Sequence, residues 1–386
     1  MKKLIILTLL LFSIPVWAQE AITTLPFEIV NGHIYIKVVV DNGRPLNLAF
    51  DTGARANLLH EQVAEELGFN IDGVQQVNDA SGIVKIKSSY NHSMKVGSLD
   101  FRGETFLLMN LDHLGDEDHP MDGVIGGSIL DEFITEINFD DSEIRFYERS
   151  GFKAPEGFTE EKMTLEPFRV PIINCKLMLN NGTAKEGFYL VDTGAALAIR
   201  FNVPLVKKQK LTESLLPNYA YTSRALNSES TDYIGRLPAF EIMGHKFQSF
   251  QVRMATDAGG VSGRSSVDGI VGLEILKRFN LIFDYRQEII YMQPNSLYNT
   301  FFLENFSGLK VKKQNGRLHV EAVADNSPAL DQGMKTGDEI LSVDGQKNLS
   351  RMAFLEYVQP MRKDVKLEVL REGKIIFVSL KPRKII

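Results

Sequence analysis

Two copies of one motif pair constrain this chain more than anything else in it. Phe50 leads into Asp51-Thr52-Gly53-Ala54, and Val191 leads into Asp192-Thr193-Gly194-Ala195, 141 residues further on. Each copy is trailed by a second motif. Asp122-Gly123-Val124-Ile125-Gly126 begins 71 residues after the first aspartate, and Asp268-Gly269-Ile270-Val271-Gly272 begins 76 after the second. A lone Asp-Thr-Gly says little, but two copies trailed at similar distances mark a duplicated unit.

The flanks repeat as well. Ile34 to Val40 alternates like a strand, Asp41-Asn42-Gly43 makes a hairpin turn, and Leu46 to Phe50 returns as a second strand. Lys176 to Leu179, Asn180-Asn181-Gly182 and Phe188 to Val191 follow the same plan. Short helical patterns, Ile129 to Phe133 and Ile275 to Phe279, come after each Asp-Gly motif, and strand pairs follow near residues 137–146 and 281–291. One stretch reads as clearly helical: Asn57 caps it, Leu58, Leu59, Val63 and Leu67 share a face, and Gly68 ends it. The rest of both halves reads as β, so the fold class is mostly β. Turn residues and charge without periodicity mark 151–167 and 294–299 as linkers. The expected division is 19–150 for one lobe, 151–300 for a second and 301–386 for a third unit.

A duplicated unit packed about a pseudo-twofold axis brings the same atom of each copy to that axis. Two carboxylates meeting there do not both ionise cheaply, so the pair holds one proton over a range of pH. The ionised member takes a proton from water while the protonated member donates to a carbonyl oxygen. Threonine supplies a hydroxyl that hydrogen-bonds across the pair, and glycine lets backbone approach the carboxylates.

On these motifs the two halves resemble the retropepsin-like and pepsin-like aspartic peptidases, over roughly residues 25–293. The resemblance implies two pseudo-symmetric lobes forming one acid-protease double-β unit. It implies a catalytic dyad of Asp51 and Asp192 supported by Thr52, Gly53, Thr193 and Gly194, and endopeptidic hydrolysis with no metal or organic cofactor. The alanine after each motif, with short similar halves, looks more like the retroviral type fused in tandem than like pepsin. Both motifs lie in one chain, which implies a monomer with an intrachain site. Two departures stand out. Arg55 and Ala196 occupy the positions where retroviral proteases carry an acidic residue that contacts substrate backbone, and the tyrosine of the pepsin flap has no evident counterpart. Asn78 to Ile83 and Ala225 to Thr231 are turn-rich and suit either flaps or plain surface hairpins.

The third unit resembles a PDZ domain of the bacterial exported type. The residues that carry this are Ser307-Gly308-Leu309-Lys310-Val311, Ser327-Pro328-Ala329 and the run Gly337 to Gly345. The resemblance implies that a peptide adds as a strand beside the sheet. Backbone N–H groups of the loop Phe306, Ser307, Gly308 and Leu309 would hold its terminal carboxylate, and Leu349 to Val358 would be the helix lining the groove.

Composition bounds the rest. With 43 Lys and Arg against 49 Asp and Glu, a net charge of −6 and no long basic run, nucleic acid is not the expected partner. Met1-Lys2-Lys3, an apolar stretch from Leu4 to about Val16 and a small residue at Ala18 read as a secretory signal peptide over 1–18. That reading implies an exported protein, periplasmic, cell-surface or secreted, with no membrane span after cleavage. Cys175, the single cysteine, lies in an apolar run and reads as core. Asp112, His113, Asp116, Glu117, Asp118 and His119 form an acidic loop that reads as a solvated charge run, since its spacing matches no known metal site. Two function classes stay open: an aspartic endopeptidase whose PDZ domain binds substrate or partner peptide, and an inactive exported scaffold using the PDZ groove. Retention of both aspartates and both threonines favours the enzyme.

Overall fold

The computed structural model describes residues 19–79, 82–165, 167, 169–224 and 229–386. The segment read above as a signal peptide, and the tips of both candidate flaps, lie outside these residues.

In each half the strand leading to the Asp-Thr-Gly motif pairs in parallel with the strand of the Asp-Gly motif. Pro45–Phe50 lies beside Gly123–Ile125 with Phe50 opposite Ile125, and Ala184–Asp192 lies beside Gly269–Gly272 with Val191 opposite Val271. Around the first pair, His33–Val40, Asn57–His60, Leu99–Met109 and Gly82–Val96 complete a ring, closed by pairing of Val39 and Val40 with Lys95 and Met94. Around the second, Ile172–Met178, Ile199–Phe201, His245–Ala255 and Glu229–Ile242 do the same, closed between Cys175–Met178 and Ala239–Ile242. Two closed six-stranded barrels result, and the chain is mostly β.

A third sheet ties the barrels together. Its strands run in the order Thr23–Pro26, Glu143–Tyr147, Ile134–Asn138, Phe279–Asp284, Ile289–Pro294 and Thr159–Lys162, so both halves contribute. One apolar core is continuous through both barrels and this sheet, from Phe50 and Phe106 to Phe240, Phe279 and Phe283. Cys175 is buried within it, and burial holds its thiol pKa well above the usual range.

Three sequence expectations give way to tertiary pairing. Asn57 does not cap a helix; Asn57–His60 is a strand, because Leu58 and Leu59 pair with Val124 and Gly123 on one side and Leu107 and Leu108 on the other. The helix starts at Glu61, and the ring of His60 caps it by accepting from the Gln62 N–H. The second half has helices of its own at Val203–Gln209 and Leu211–Ser214, where the sequence pattern predicts β. Within the expected linker 151–167, Thr159–Lys162 forms the last strand of the shared sheet.

The third unit is a five-stranded sheet in the order Leu309–Gln314, Arg317–Val323, Glu339–Val343, Val365–Arg371 and Lys374–Leu380. It packs its own core around Phe354 of the helix Arg351–Tyr357.

Candidate active site

The sequence around each aspartate dictates a crowded crossing. Asp51 N–H donates to the Ile125 carbonyl at 2.9 Å, which carries the chain past the end of the parallel strand pair. Gly126 and Gly272 pass against this turn so closely that a side chain at either would overlap the backbone of Asp51 or of Ala195 and Leu197. The motif aspartates Asp122 and Asp268 are fasteners rather than members of the site. Asp122 exchanges backbone N–H and side-chain bonds with Asn47 (3.0 and 2.7 Å), and Asp268 does so with Phe188 (2.7 and 3.2 Å). This explains why both motifs recur together.

At the seam the two threonines interlock. Thr52 N–H donates to Thr193 Oγ1 at 3.0 Å and Thr193 N–H to Thr52 Oγ1 at 3.1 Å. Each hydroxyl in turn donates to the opposite lobe, Thr52 to the Val191 carbonyl (2.8 Å) and Thr193 to the Phe50 carbonyl (3.0 Å). Both threonines are fully buried. A buried hydroxyl that both donates and accepts meets its hydrogen-bonding needs without water, so the seam holds its geometry.

This interlock sets the aspartates face to face. Gly53 N–H donates to Asp51 Oδ1 (2.7 Å) and Gly194 N–H to Asp192 Oδ1 (2.9 Å). A Cβ on Gly53 would stand 2.6 Å from the Asp192 carboxyl carbon, and one on Gly194 would be closer still to that of Asp51. Glycine is needed here for close approach rather than for backbone angle. Withdrawal from water pushes both carboxyls above the ordinary carboxylate range. Asp192 goes furthest, because it also faces the charge of Asp51, while amides of Gly53, Ala54 and Gly194 favour the charged form of Asp51. The two carboxyls thus sit side by side with proton loss disfavoured at both.

Two neighbours escaped the sequence reading. Tyr285 donates its hydroxyl to the Thr52 carbonyl at 3.2 Å. A break in the repeat could have flagged it, since Phe139-Asp140-Asp141 corresponds to Phe283-Asp284-Tyr285. His33 opens its strand directly after Gly32, where an added Cβ would stand 2.7 Å from that of Ala196. Burial, with Arg351 nearby, pushes its pKa down to about 4. No sequence signal pointed to it. Arg55 and Ala196, the two departures from the retroviral pattern, are both exposed. The hairpins that hold the candidate flap positions are Gly73–Asp79 with Gly82–Val96, and Tyr219–Arg224 with Glu229–Ile242. The first reaches the turn Gly260–Gly263 of the other lobe.

Residues 36–129 match the family model for aspartyl protease, and residues 307–381 match that for the PDZ domain. The chain joins an aspartyl protease family domain to a PDZ domain. A similar solved structure is the aspartic proteinase from Irpex lacteus, 16% identical, with a TM-score of 0.45 over 72% of this chain and 99% of that one. No curated protein is matched. The aspartyl protease match holds the first motif pair; the second lies in residues beyond it.

The PDZ domain is seated on the two barrels. Lys312 Nζ donates to the Asp112 carbonyl (2.6 Å), Lys313 pairs with Asp118 (2.5 Å), and Gly316 N–H donates to Glu117 (2.6 Å). The acidic loop is thus a docking element and not simply a solvated run. Arg236 of the second lobe holds both carboxylate oxygens of Glu304 at 2.7 Å. In the loop Phe306 to Leu309, Gly308 adopts a positive φ of 80°. The amides of this loop have partners inside the protein: Ser307 and Gly308 donate to Asn305 Oδ1 (3.2 and 2.9 Å), and Leu309 donates to Ser307 Oγ (3.1 Å).

Proposed function

We propose that this chain is an aspartic endopeptidase working through Asp51 and Asp192. The observation that carries the reading is the threonine interlock, which presses each motif glycine against the opposite carboxyl. Water held between the carboxyls loses a proton to the ionised one and attacks the peptide carbonyl carbon. The protonated carboxyl gives its proton to the carbonyl oxygen, forming a neutral tetrahedral diol. Collapse breaks the C–N bond as the amine nitrogen takes up the proton first drawn from water. The diol returns its other proton to the second carboxyl, which restores the starting state.

Both halves of the dyad come from one chain, which supports a site that works in the monomer. The basic, apolar and small-residue start of the sequence supports export, and the PDZ domain supports a peptide ligand. Digestion of denatured protein across pH 3 to 8, with and without a transition-state-mimicking statine inhibitor, tests the activity. Inhibitor-sensitive cleavage that vanishes in Asp51→Asn is expected. Cleavage that persists in Asp51→Asn, in a preparation cleared of host proteases, would sink the dyad, and no cleavage by the unmodified chain would leave the scaffold reading ahead.

A further inference from the structure

The PDZ groove does not face away from the protease. A cavity of about 230 Å³ lies between the PDZ domain and the second lobe, with Leu309, Met352 and Leu355 on one side and Leu197 and Ile199 on the other. A larger cavity of about 690 Å³ shares Ala196, Leu197, Lys310, Val311 and Arg351 with it and is also lined by His33 and Gly194. The two cavities share a wall, and together they form a channel from the PDZ groove to Gly194, the glycine pressed against the Asp51 carboxyl.

The strand Leu309–Gln314 forms the PDZ wall of this channel. It is the outermost strand of its sheet, with a strand partner on one side only among the described residues. Such an edge accepts an extended peptide through backbone hydrogen bonds. The end of the groove where a terminal carboxylate would sit is already filled. Asn305 Oδ1 accepts from Ser307 N–H, Ser307 Oγ–H and Gly308 N–H at 3.2, 2.9 and 2.9 Å, and Asn305 Nδ2 donates to the Leu309 carbonyl at 2.9 Å. A side-chain amide stands where the carboxylate oxygens would. The seat on the acidic loop holds the strand in place along the channel.

We propose that the PDZ edge strand is the outer wall of the substrate cleft, and that the channel takes an internal, extended segment of polypeptide instead of a free C-terminus. The hydrolytic half of this rests on the endopeptidase reading; the binding half does not. The probes are random-sequence peptide libraries of roughly six and fourteen residues, the longer reaching some 45 Å at about 3.3 Å per residue. Each is made as free acid and as C-terminal amide.

Binding is measured by fluorescence anisotropy on the full-length Asp51→Asn chain. We expect the long library to bind at least tenfold tighter than the short one, with acid and amide within twofold of each other. Met352→Trp and Leu355→Trp, two independent ways to fill the groove, should each collapse the long-to-short ratio. A tenfold preference for the acid would overturn the internal-segment reading. Equal binding of long and short, unmoved by both variants, would remove the PDZ strand from the cleft. Hydrolysis of the long library by the unmodified chain is the separate arm. Its absence alongside the expected binding pattern would sink the endopeptidase reading and leave the channel standing.

Discussion

His60 in the first lobe and Asn202 in the second hold corresponding places. The backbone N–H of each donates to the carbonyl of its lobe's motif aspartate, Asp122 or Asp268, at 2.8 Å. Their side chains then diverge. The His60 ring caps a helix and faces Asp112 at 3.1 Å, on the loop that seats the PDZ domain. Asn202 donates inward to the carbonyls of Val261 and Val267 at 3.0 Å. Beyond them, the first lobe ties buried Asn57 to Glu104 and Ser128, whereas the second buries an Arg200–Asp232 ion pair at 2.8 Å. Where the chain must pass between two carboxylates, the lobes are near copies. Further from the crossing, each lobe partners its polar side chains in its own way. Close backbone crossing leaves few solutions, and peripheral support leaves many.

The largest expected effect tests the likeness at the centre. Asp51→Asn and Asp192→Asn should each lower turnover on the order of 10³-fold or more, and the double variant should lose little beyond either single one. Steady-state kinetics on denatured protein check this. One variant retaining activity would break the symmetry of roles. Next comes the unlikeness. Arg200→Met leaves Asp232 buried and unpaired and should cost about 3–5 kcal/mol of unfolding free energy, much of it recovered when Asp232→Leu is added. His60→Ala, at the comparable distance in the first lobe, should cost about 1 kcal/mol, the worth of a helix cap. Similar losses in urea unfolding would erase the distinction between the lobes.

The interlock brings the comparison back to the seam. Thr52→Ala or Thr193→Ala orphans a buried amide and a buried carbonyl together, so each should cost about 2–3 kcal/mol, and by equal amounts. Serine at either position keeps the hydroxyl and should restore most of the loss. Unequal costs by thermal unfolding would show that one lobe holds the seam for both.

The same contrast explains what was legible in the sequence. The crossing was readable because its constraints are local and doubled: Asp-Thr-Gly needs its glycine, and Asp122 and Asp268 recur because each fastens the strand before its own crossing. Asn57 misled because a capping residue before Leu58 and Leu59 reads as a helix start, while strand partners 49 to 66 residues away decided otherwise. Thr159–Lys162 carries no apolar pattern and becomes a strand through backbone pairing with Ile289–Met292. Asn305 lies just before the PDZ loop that resemblance points to, and nothing in its identity tells that it turns back into that loop. The seat of the PDZ domain on the acidic loop depends on two surfaces some 200 residues apart in sequence, which no periodicity records.

The smallest expected effect uses pH to separate the dyad from its neighbour. Folding raises the carboxyl pKa values of the Asp51–Asp192 pair, so the pair's contribution to stability is fully present below the ordinary carboxylate value and is lost as pH rises through the raised one. His33 runs the other way. Its pKa falls from 6.5 to about 4, so its contribution is present above 6.5 and is lost as pH falls toward 4. The two slopes oppose each other, and substitutions should remove them one at a time. His33→Gln should flatten the acid side only, on the order of 1–2 kcal/mol between pH 6.5 and 4 once solvent at its exposed edge is allowed for. Asp192→Asn should flatten the higher-pH side only. Arg351→Gln takes away the PDZ cation beside His33 and should shift the acid limb to higher pH without moving the other. Urea unfolding at half-unit pH steps reads all three. An acid limb unchanged by Arg351→Gln would mean that the PDZ helix exerts no field on the turn beside Gly194, and that the histidine answers to burial alone.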